Sequence, residues 1–349
     1  MHSFDRSPPG PRWHLPDQFL ALSREQRADV LGAHAANTGR SAQVLEKDVW
    51  VCWALDALFT MPDAFPMAFK GGTSLSKVYN AIDRFSEDVD VTLDYRQLDD
   101  SVDPFAESTS RHQQDALTDR LRQRVAVRVA EVITPHLRAR LANELGLGPD
   151  AVSFDHENIW VHYPSALEGR DEYVRDAVKL EFGGRNCIDP NERHTVTPYL
   201  AVLPTMVFPS ATVTVLAPER TFWEKATLIH AELSRDEFRS GVQRLSRHWY
   251  DLDRMAQGEI GQRAGNDRSL LRDVVKVKKV FYRSRQANYD LCASGGLRLV
   301  PTTTAIAKSL QDDYEQMVGA GMFYGDSPVF SVILERLEDL AKRINSVTL

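Results

Sequence analysis

The sequence has little cysteine, no surplus of positive charge and no long apolar run. Its 349 residues include three cysteines. Cys52, Cys187 and Cys292 are odd in number, far apart and in no metal-type spacing, which excludes a disulfide framework and a zinc site and reads as reduced thiols of a cytoplasmic protein. No apolar stretch approaches the roughly 20 residues of a membrane span. The first residues, to about Pro16, lack the apolar core of a secretory signal and read as a flexible N-terminal arm. Internal repeats and other low-complexity tracts are missing too. With 42 basic against 49 acidic residues the net charge is −7. That argues against nonspecific coating of nucleic acid, though not against an enzyme touching it at one place.

What is present is an ordinary globular composition, 43% hydrophobic and 26% charged, long enough for two domains on the usual prior of about 100–200 residues each. The charge is uneven. Residues 1–215 carry 22 basic and 31 acidic side chains, whereas residues 216–349 carry 20 and 18. A division near 215 is therefore expected: a domain of mixed strands and helices over 17–215, then a mainly helical one over 216–349.

Along the chain, Asp17 to Phe59 reads as helices, with Leu45, Val49, Trp53 and Leu58 near helical spacing. A short strand over Met67–Phe69 leads into Lys70-Gly71-Gly72, and the spacing predicts a helix over Thr73–Ala81. Val89, Val91 and Leu93 alternate with Asp88, Asp90 and Asp94, as in a half-buried strand. Residues 105–145 read as a helical insertion, in which Leu117, Leu121, Val125, Val129 and Ile133 recur every four positions. Arg120, Arg122, Arg124 and Arg128 around them read as a solvated face. Strands are predicted at Ala151–Phe154, Ile159–His162, Ala177–Phe182 and Thr212–Leu216. Beyond Pro218 the pattern is helical. There Ser327-Pro328 resembles an N-cap with Pro at the first helical position, ahead of an apolar stripe of Phe330, Ile333, Leu337, Leu340 and Ile344.

The chemistry concentrates in Phe69–Leu93, FKGGTSLSKVYNAIDRFSEDVDVTL. Gly71-Gly72 follow a strand and open a helix, so backbone can approach a phosphate closely. Asp88 and Asp90, two apart on a strand, project from one face. Carboxylates so close repel unless a cation lies between them, and hard oxygen donors suit Mg²⁺ or Mn²⁺. Each feature alone is weak; the joint spacing is specific. A third carboxylate would complete such a site, with Glu181 the candidate and Asp176 the alternative. Farther on, Lys276, Lys278, Lys279, Arg283 and Arg285, with Phe281, Tyr282 and Tyr289 close by, fit a groove that follows a phosphate backbone and stacks bases. His194 and His230 read as structural, and no Ser/His/Asp arrangement is identifiable.

Gly-Gly, a helix and then Asp-Val-Asp on a strand resembles the nucleotidyltransferase superfamily related to polymerase β. The fuller string KGGTSLSK…RFSEDVDV resembles the AbiEii/AbiGii-type nucleotidyltransferase toxins of toxin–antitoxin and phage-defence systems. Glu46-Lys47-Asp48-Val49-Trp50, Glu219–Lys225, Tyr250-Asp251-Leu252 and the stretch from Tyr314 to Asn345 extend the likeness to roughly residues 40–345. His248 departs from the family's pattern, which usually has an acid there. The resemblance implies an α+β fold, a nucleotidyltransferase mixed sheet with flanking helices followed by a mainly α-helical C-terminal domain. It implies a Mg²⁺-dependent, pyrophosphate-releasing enzyme that moves a nucleoside monophosphate from an NTP to an acceptor hydroxyl, a tRNA 3′ end being the implied acceptor. A cognate antitoxin is the implied protein partner. It also implies roles: Asp88 and Asp90 on the metal, where Glu181 is the candidate third ligand, Lys225 and Asp251 in catalysis, and Lys70, Gly71, Gly72, Thr73, Ser74, Arg84 and Ser86 on the nucleotide. Competing readings are a nucleotidyltransferase acting on a protein or small molecule, a non-catalytic nucleotide-binding regulator, and a kinase-like phosphotransferase.

Overall fold

A computed structural model describes residues 17–62, 65–168, 175–235, 238, 244–325 and 327–346. The expected N-terminal arm lies outside the described residues. In chain order the elements are β1 (Asp17–Gln18), α1 (Arg24–Thr38), α2 (Ala42–Phe59), β2 (Met67–Lys70), α3 (Gly71–Lys77), β3 (Asp88–Asp94) and α4 (Tyr95–Leu98). Next come α5 (Arg111–Arg128), α6 (Thr134–Leu145), β4 (Val152–Asp155), β5 (Asn158–His162), β6 (Ala177–Asn186), β7 (Asn191–Val196), β8 (Met206–Val207) and β9 (Ala211–Leu216). Helices complete the chain: α7 (Pro218–Leu233), α8 (Arg247–Ala256), α9 (Glu259–Asn266), α10 (Arg268–Phe281), α11 (Asp290–Ala293), α12 (Thr304–Gly319) and α13 (Phe330–Ser346).

Seven strands form one mixed sheet in the order β4-β5-β6-β3-β2-β9-β7. Hence the fold is α+β, a mixed sheet with flanking helices, as expected. β3 lies at its centre, antiparallel to β2 and parallel to β6. Val89, Val91 and Leu93 are buried, which turns the alternate positions 88 and 90 to the other face. The edge strand β7, Asn191-Glu192-Arg193-His194-Thr195-Val196, was not foreseen, because its run is too polar to show an apolar alternation. Its pairing with β9 supplies what its side chains lack.

The helix after the glycines begins two residues earlier than predicted and stops at Lys77. Asn80 takes a left-handed φ of +47°, and the Ala81 N–H donates to the Leu75 carbonyl at 2.9 Å, which closes the turn. α13 begins at Phe330, so Ser327 does not cap it as expected; its five-residue apolar stripe is buried as read. The 111–145 stripe is also buried, through Leu137 and Leu141. A spacing of four exceeds 3.6 and drifts by about 40° per step. The π-helical turn at Val129–Ile133 widens the local repeat and keeps the later residues on the core. Of the arginines around it, Arg120 and Arg124 hold Asp99 at 2.9 and 3.4 Å, and Arg128 lies over the Phe65 ring.

Two larger cores interlock. The sheet core gathers α2, α5, α6 and the strands, and takes in Val277, Val280 and Phe281 of α10. The core of the helical half takes in Leu75, within the glycine helix, and Ile82, just after it. All three cysteines are buried and free. No helix among the described residues is long and apolar enough to cross a membrane.

Candidate active site

The register of the central strands places Lys70, Asp90 and Glu181 in one row across β2, β3 and β6, with Asp88 paired to Lys179 one step along. All four named side chains, Lys70, Asp88, Asp90 and Glu181, face a cavity of about 260 Å³ between the sheet and helices α7, α8 and α10. The glycines are there for space. Gly71 has φ +79°, and a Cβ on it would sit 2.0 Å from Asp90 Oδ2. A Cβ on Gly72 would meet Ser86 Oγ at 2.6 Å and Arg84 Nη2 at 2.8 Å. Backbone and the functional side chains therefore touch without intervening atoms.

Thr73 and Ser74 sit differently from the expectation. Both are buried and outside the cavity lining. The Thr73 hydroxyl donates to the Asp88 carbonyl at 2.5 Å and the Ser74 hydroxyl to the Gly71 carbonyl at 2.9 Å. They tie the glycine turn to β3. The hydroxyl residues that line the cavity are Ser86, Thr221 and Tyr282.

Burial first, then repulsion from Glu181, Glu87 and Asp90, raises the Asp88 carboxyl above its ordinary value. Burial likewise raises Asp90, opposed by Lys70 and reinforced by Glu181. Neither aspartate has a cationic nitrogen within 4 Å among the described residues, so their charges are not neutralised by ion pairs. Two crowded hard-oxygen donors in that condition fit a divalent cation. The third carboxylate is less ready: Glu181 lines the cavity but is held by Lys179, its neighbour two residues along β6. Accordingly, among the described residues no three His, Cys, Asp or Glu side chains stand together as a metal site. Asp176 precedes β6 and does not reach the cavity.

Lys225 lines the cavity, and its ammonium is 2.8 Å from Asp251 Oδ2. Asp251 is wholly buried and does not line it. Arg84 Nε and Nη2 donate to the two Asp251 oxygens at 2.6 and 2.7 Å. Although burial opposes ionisation, Arg84 and Lys225 hold this carboxyl far below the usual range. Burial first, then the Lys225 and Arg247 charges, also lowers His248, well below its ordinary value, so its imidazole is neutral at physiological pH. The loop carrying Arg84 pairs with the C-terminal stretch: Phe85 N–H donates to the Met322 carbonyl at 2.7 Å and Tyr324 N–H to the Asp83 carbonyl at 2.9 Å.

The Glu46-Lys47-Asp48 segment lies outside the cavity and braces it. Lys47 is 2.6 Å from Glu87, which also meets Arg244 at 2.8 Å, and Asp48 pairs with Lys77 of α3.

The expected continuous basic groove is not formed. At about 100° per residue, Lys276 and Lys279 fall on one side of α10, and Lys278 on another. Lys276 sits over the Phe105 ring at 4.3 Å and shares with Lys279 and Arg272 a second, separate groove. Lys279 pairs with Asp290 at 2.7 Å, Arg283 pairs with Asp115 at 3.1 Å, and Arg285 is exposed. Of the five, Lys278 alone enters the main cavity, with Tyr282 one turn along. Asn186, Arg220 and Glu224 also line it. Asn186 and Arg220 were not foreseen, because strand end and helix start meet only through the tertiary fold.

A mixed sheet that sets Gly-Gly against Asp-x-Asp in one cation-walled cavity defines a nucleotidyltransferase. A family model described as "Nucleotidyl transferase AbiEii toxin, Type IV TA system" matches residues 53–336, and the chain belongs to that family. Membership makes it a nucleotidyltransferase toxin of a type IV toxin–antitoxin system, with a nucleoside triphosphate substrate, a divalent metal and an antitoxin partner implied. Among solved structures it is similar to MenT4, a nucleotidyltransferase toxin from Mycobacterium tuberculosis H37Rv, at 18% identity and TM-score 0.47 over 94% of this chain and 91% of that one. No curated protein matches it.

Proposed function

We propose that this toxin transfers a nucleoside monophosphate from an NTP to the 3′ hydroxyl of an RNA, tRNA being the expected acceptor, with Mg²⁺ as the metal. One observation carries the reading: Asp88 and Asp90 crowd without a cationic partner in a cavity otherwise walled by Lys70, Arg84, Lys225 and Arg247. Such a site lacks a cation at one point, while Arg84 and Lys225 beside it share the single carboxylate of Asp251, a charge pattern that fits a metal-bound triphosphate.

Asp88 and Asp90 would hold the ion, and Glu181 would join them on leaving Lys179. When bound, the ion neutralises the triphosphate and activates the attacking hydroxyl. Gly71 and Gly72 let the phosphates approach the backbone, while Arg84 and Lys225 face their charge. Asp251 acts through both cations as a positioning residue: it fixes their direction and touches no substrate. Exclusion of water by the buried walls strengthens each of these contacts. The division near residue 215 fits the same scheme, with Asp88, Asp90 and Glu181 from the first part and most of the cations from the second.

The test is incubation of each labelled nucleoside triphosphate with Mg²⁺ and total RNA, comparing wild type with Asp88→Ala. Label entering RNA only with the wild type supports the reading. Label entering protein or a small molecule instead redirects it to another acceptor.

A further inference from the structure

The cations of the cavity fall into two groups. Arg84, which lies against Gly72, shares its field with Lys225 and Arg247, whereas Lys70 and Arg220 share theirs with Lys278, which lies over Tyr282. No ion pair joins the groups among the described residues. Adjacent residues of α7 feed them separately: Lys225 pairs with Asp251 at 2.8 Å, while Glu224 meets Lys70 at 3.8 Å and Arg220 at 3.5 Å. Asp90 lies where the two fields meet, its carboxyl eased by Lys70 and by Arg247 and Lys225.

Displacement at phosphorus sets the attacking and leaving oxygens roughly in line, on opposite sides of the transferred group. Pyrophosphate leaving toward the glycine loop therefore requires the acceptor to arrive from the other side. Within that second group Lys70 and Arg220 already have carboxylate partners. Lys278 has no carboxylate oxygen within 4 Å among the described residues; its ammonium sits 4.4 Å from the Tyr282 ring centroid.

We infer that Lys278 holds a backbone phosphate next to the 3′ end of the acceptor strand, inside the catalytic cavity and across the carboxylates from the triphosphate. This rests on the RNA-acceptor reading above. Burial, together with Lys70, Arg220 and Arg185 and against the pull of Glu224, brings the Lys278 ammonium down to about 8. The charge thus lacks an anion, and a polynucleotide phosphate supplies one. The aromatic ring keeps the ammonium aimed into the cavity.

The experiment measures transfer from labelled NTP to RNA with each substrate varied in turn, for wild type, Lys278→Met and Lys278→Arg. NTP binding and melting temperature are followed separately. Lys278→Met is expected to raise KM for RNA about tenfold, a ΔΔG of about 1.4 kcal/mol, with KM for NTP unchanged. The slope of log KM for RNA against log salt falls by about 0.7, as for one phosphate on a single strand, and Lys278→Arg restores most of the loss. A rise in KM for NTP alone, or no change in either constant, overturns the inference. A folded, NTP-binding wild type that labels no RNA rejects the acceptor reading and this inference together. Wild-type labelling that Lys278→Met leaves untouched rejects the inference alone.

Discussion

Arg84 and Asp251, 167 positions apart, meet through two parallel hydrogen bonds of 2.6 and 2.7 Å, both side chains almost wholly buried. The pair joins the loop before Asp88 and Asp90 to helix α8 of the C-terminal half. Lys225 completes it from a third element. Removing one partner of a buried pair leaves the others uncompensated. Asp251→Asn is expected to cost about 3–5 kcal/mol of stability, read by chemical denaturation, and to reduce transfer more than it alters NTP binding.

The same pair has a pH signature. The folded carboxyl of Asp251 lies below its unfolded value, so its contribution is complete above about pH 4 and is lost as pH falls through the folded value. The stability gap between wild type and Asp251→Asn should therefore be level from pH 5 to 8 and close only in stronger acid. A gap that shrank between pH 7 and 5 would contradict this assignment.

Asp88 and Asp90 have the opposite sign. Their folded carboxyls are raised, so ionising them at neutral pH costs stability, and that cost disappears on acidification. Asp88→Asn should melt higher than wild type in chelator while losing transfer, the usual trade at a functional site. Added Mg²⁺ should raise the melting temperature of the wild type and leave that of the variant unmoved.

Gly71→Ala places a methyl against Asp90 Oδ2 in a backbone conformation that L residues avoid. The conformation alone costs about 1–2 kcal/mol, and the clash displaces Asp90. At least tenfold slower transfer is expected from a folded protein. Gly72→Ala should be milder at Asp90, since its new contacts are the Ser86 hydroxyl and the Arg84 tip.

Much of this was legible beforehand, for identifiable reasons. Val89, Val91 and Leu93 fixed the face of β3, and with it the common direction of Asp88 and Asp90. The glycines read as room for a phosphate; what presses against them in the fold is the side chains of Asp90, Ser86 and Arg84. Thr73 and Ser74 misled because a hydroxyl's partner is chosen by the fold, and here backbone carbonyls won. The basic segment misled in a different way: composition counts charges, whereas a helix distributes them around its axis, and Lys278 parted from Lys276 and Lys279. Asn186 carried no local signal, and Arg220, though inside the family-like Glu219–Lys225 stretch, was not read as a site residue; it is set by Asp273 of α10 at 2.6 Å and by the Asn186 amide oxygen at 3.1 Å.

Helix α10 contributes Val277, Val280 and Phe281 to the sheet's interior, while Leu75 and Ile82 go into the interior of the helical half. Each half is thus an incomplete solid that borrows filling from the other. A fragment ending near residue 215 would lose its cavity wall and expose its own apolar interior at once. Loss of the helical half is therefore expected to undo the support of Asp88 and Asp90 as well, so that a half-length product of interrupted synthesis should carry no activity.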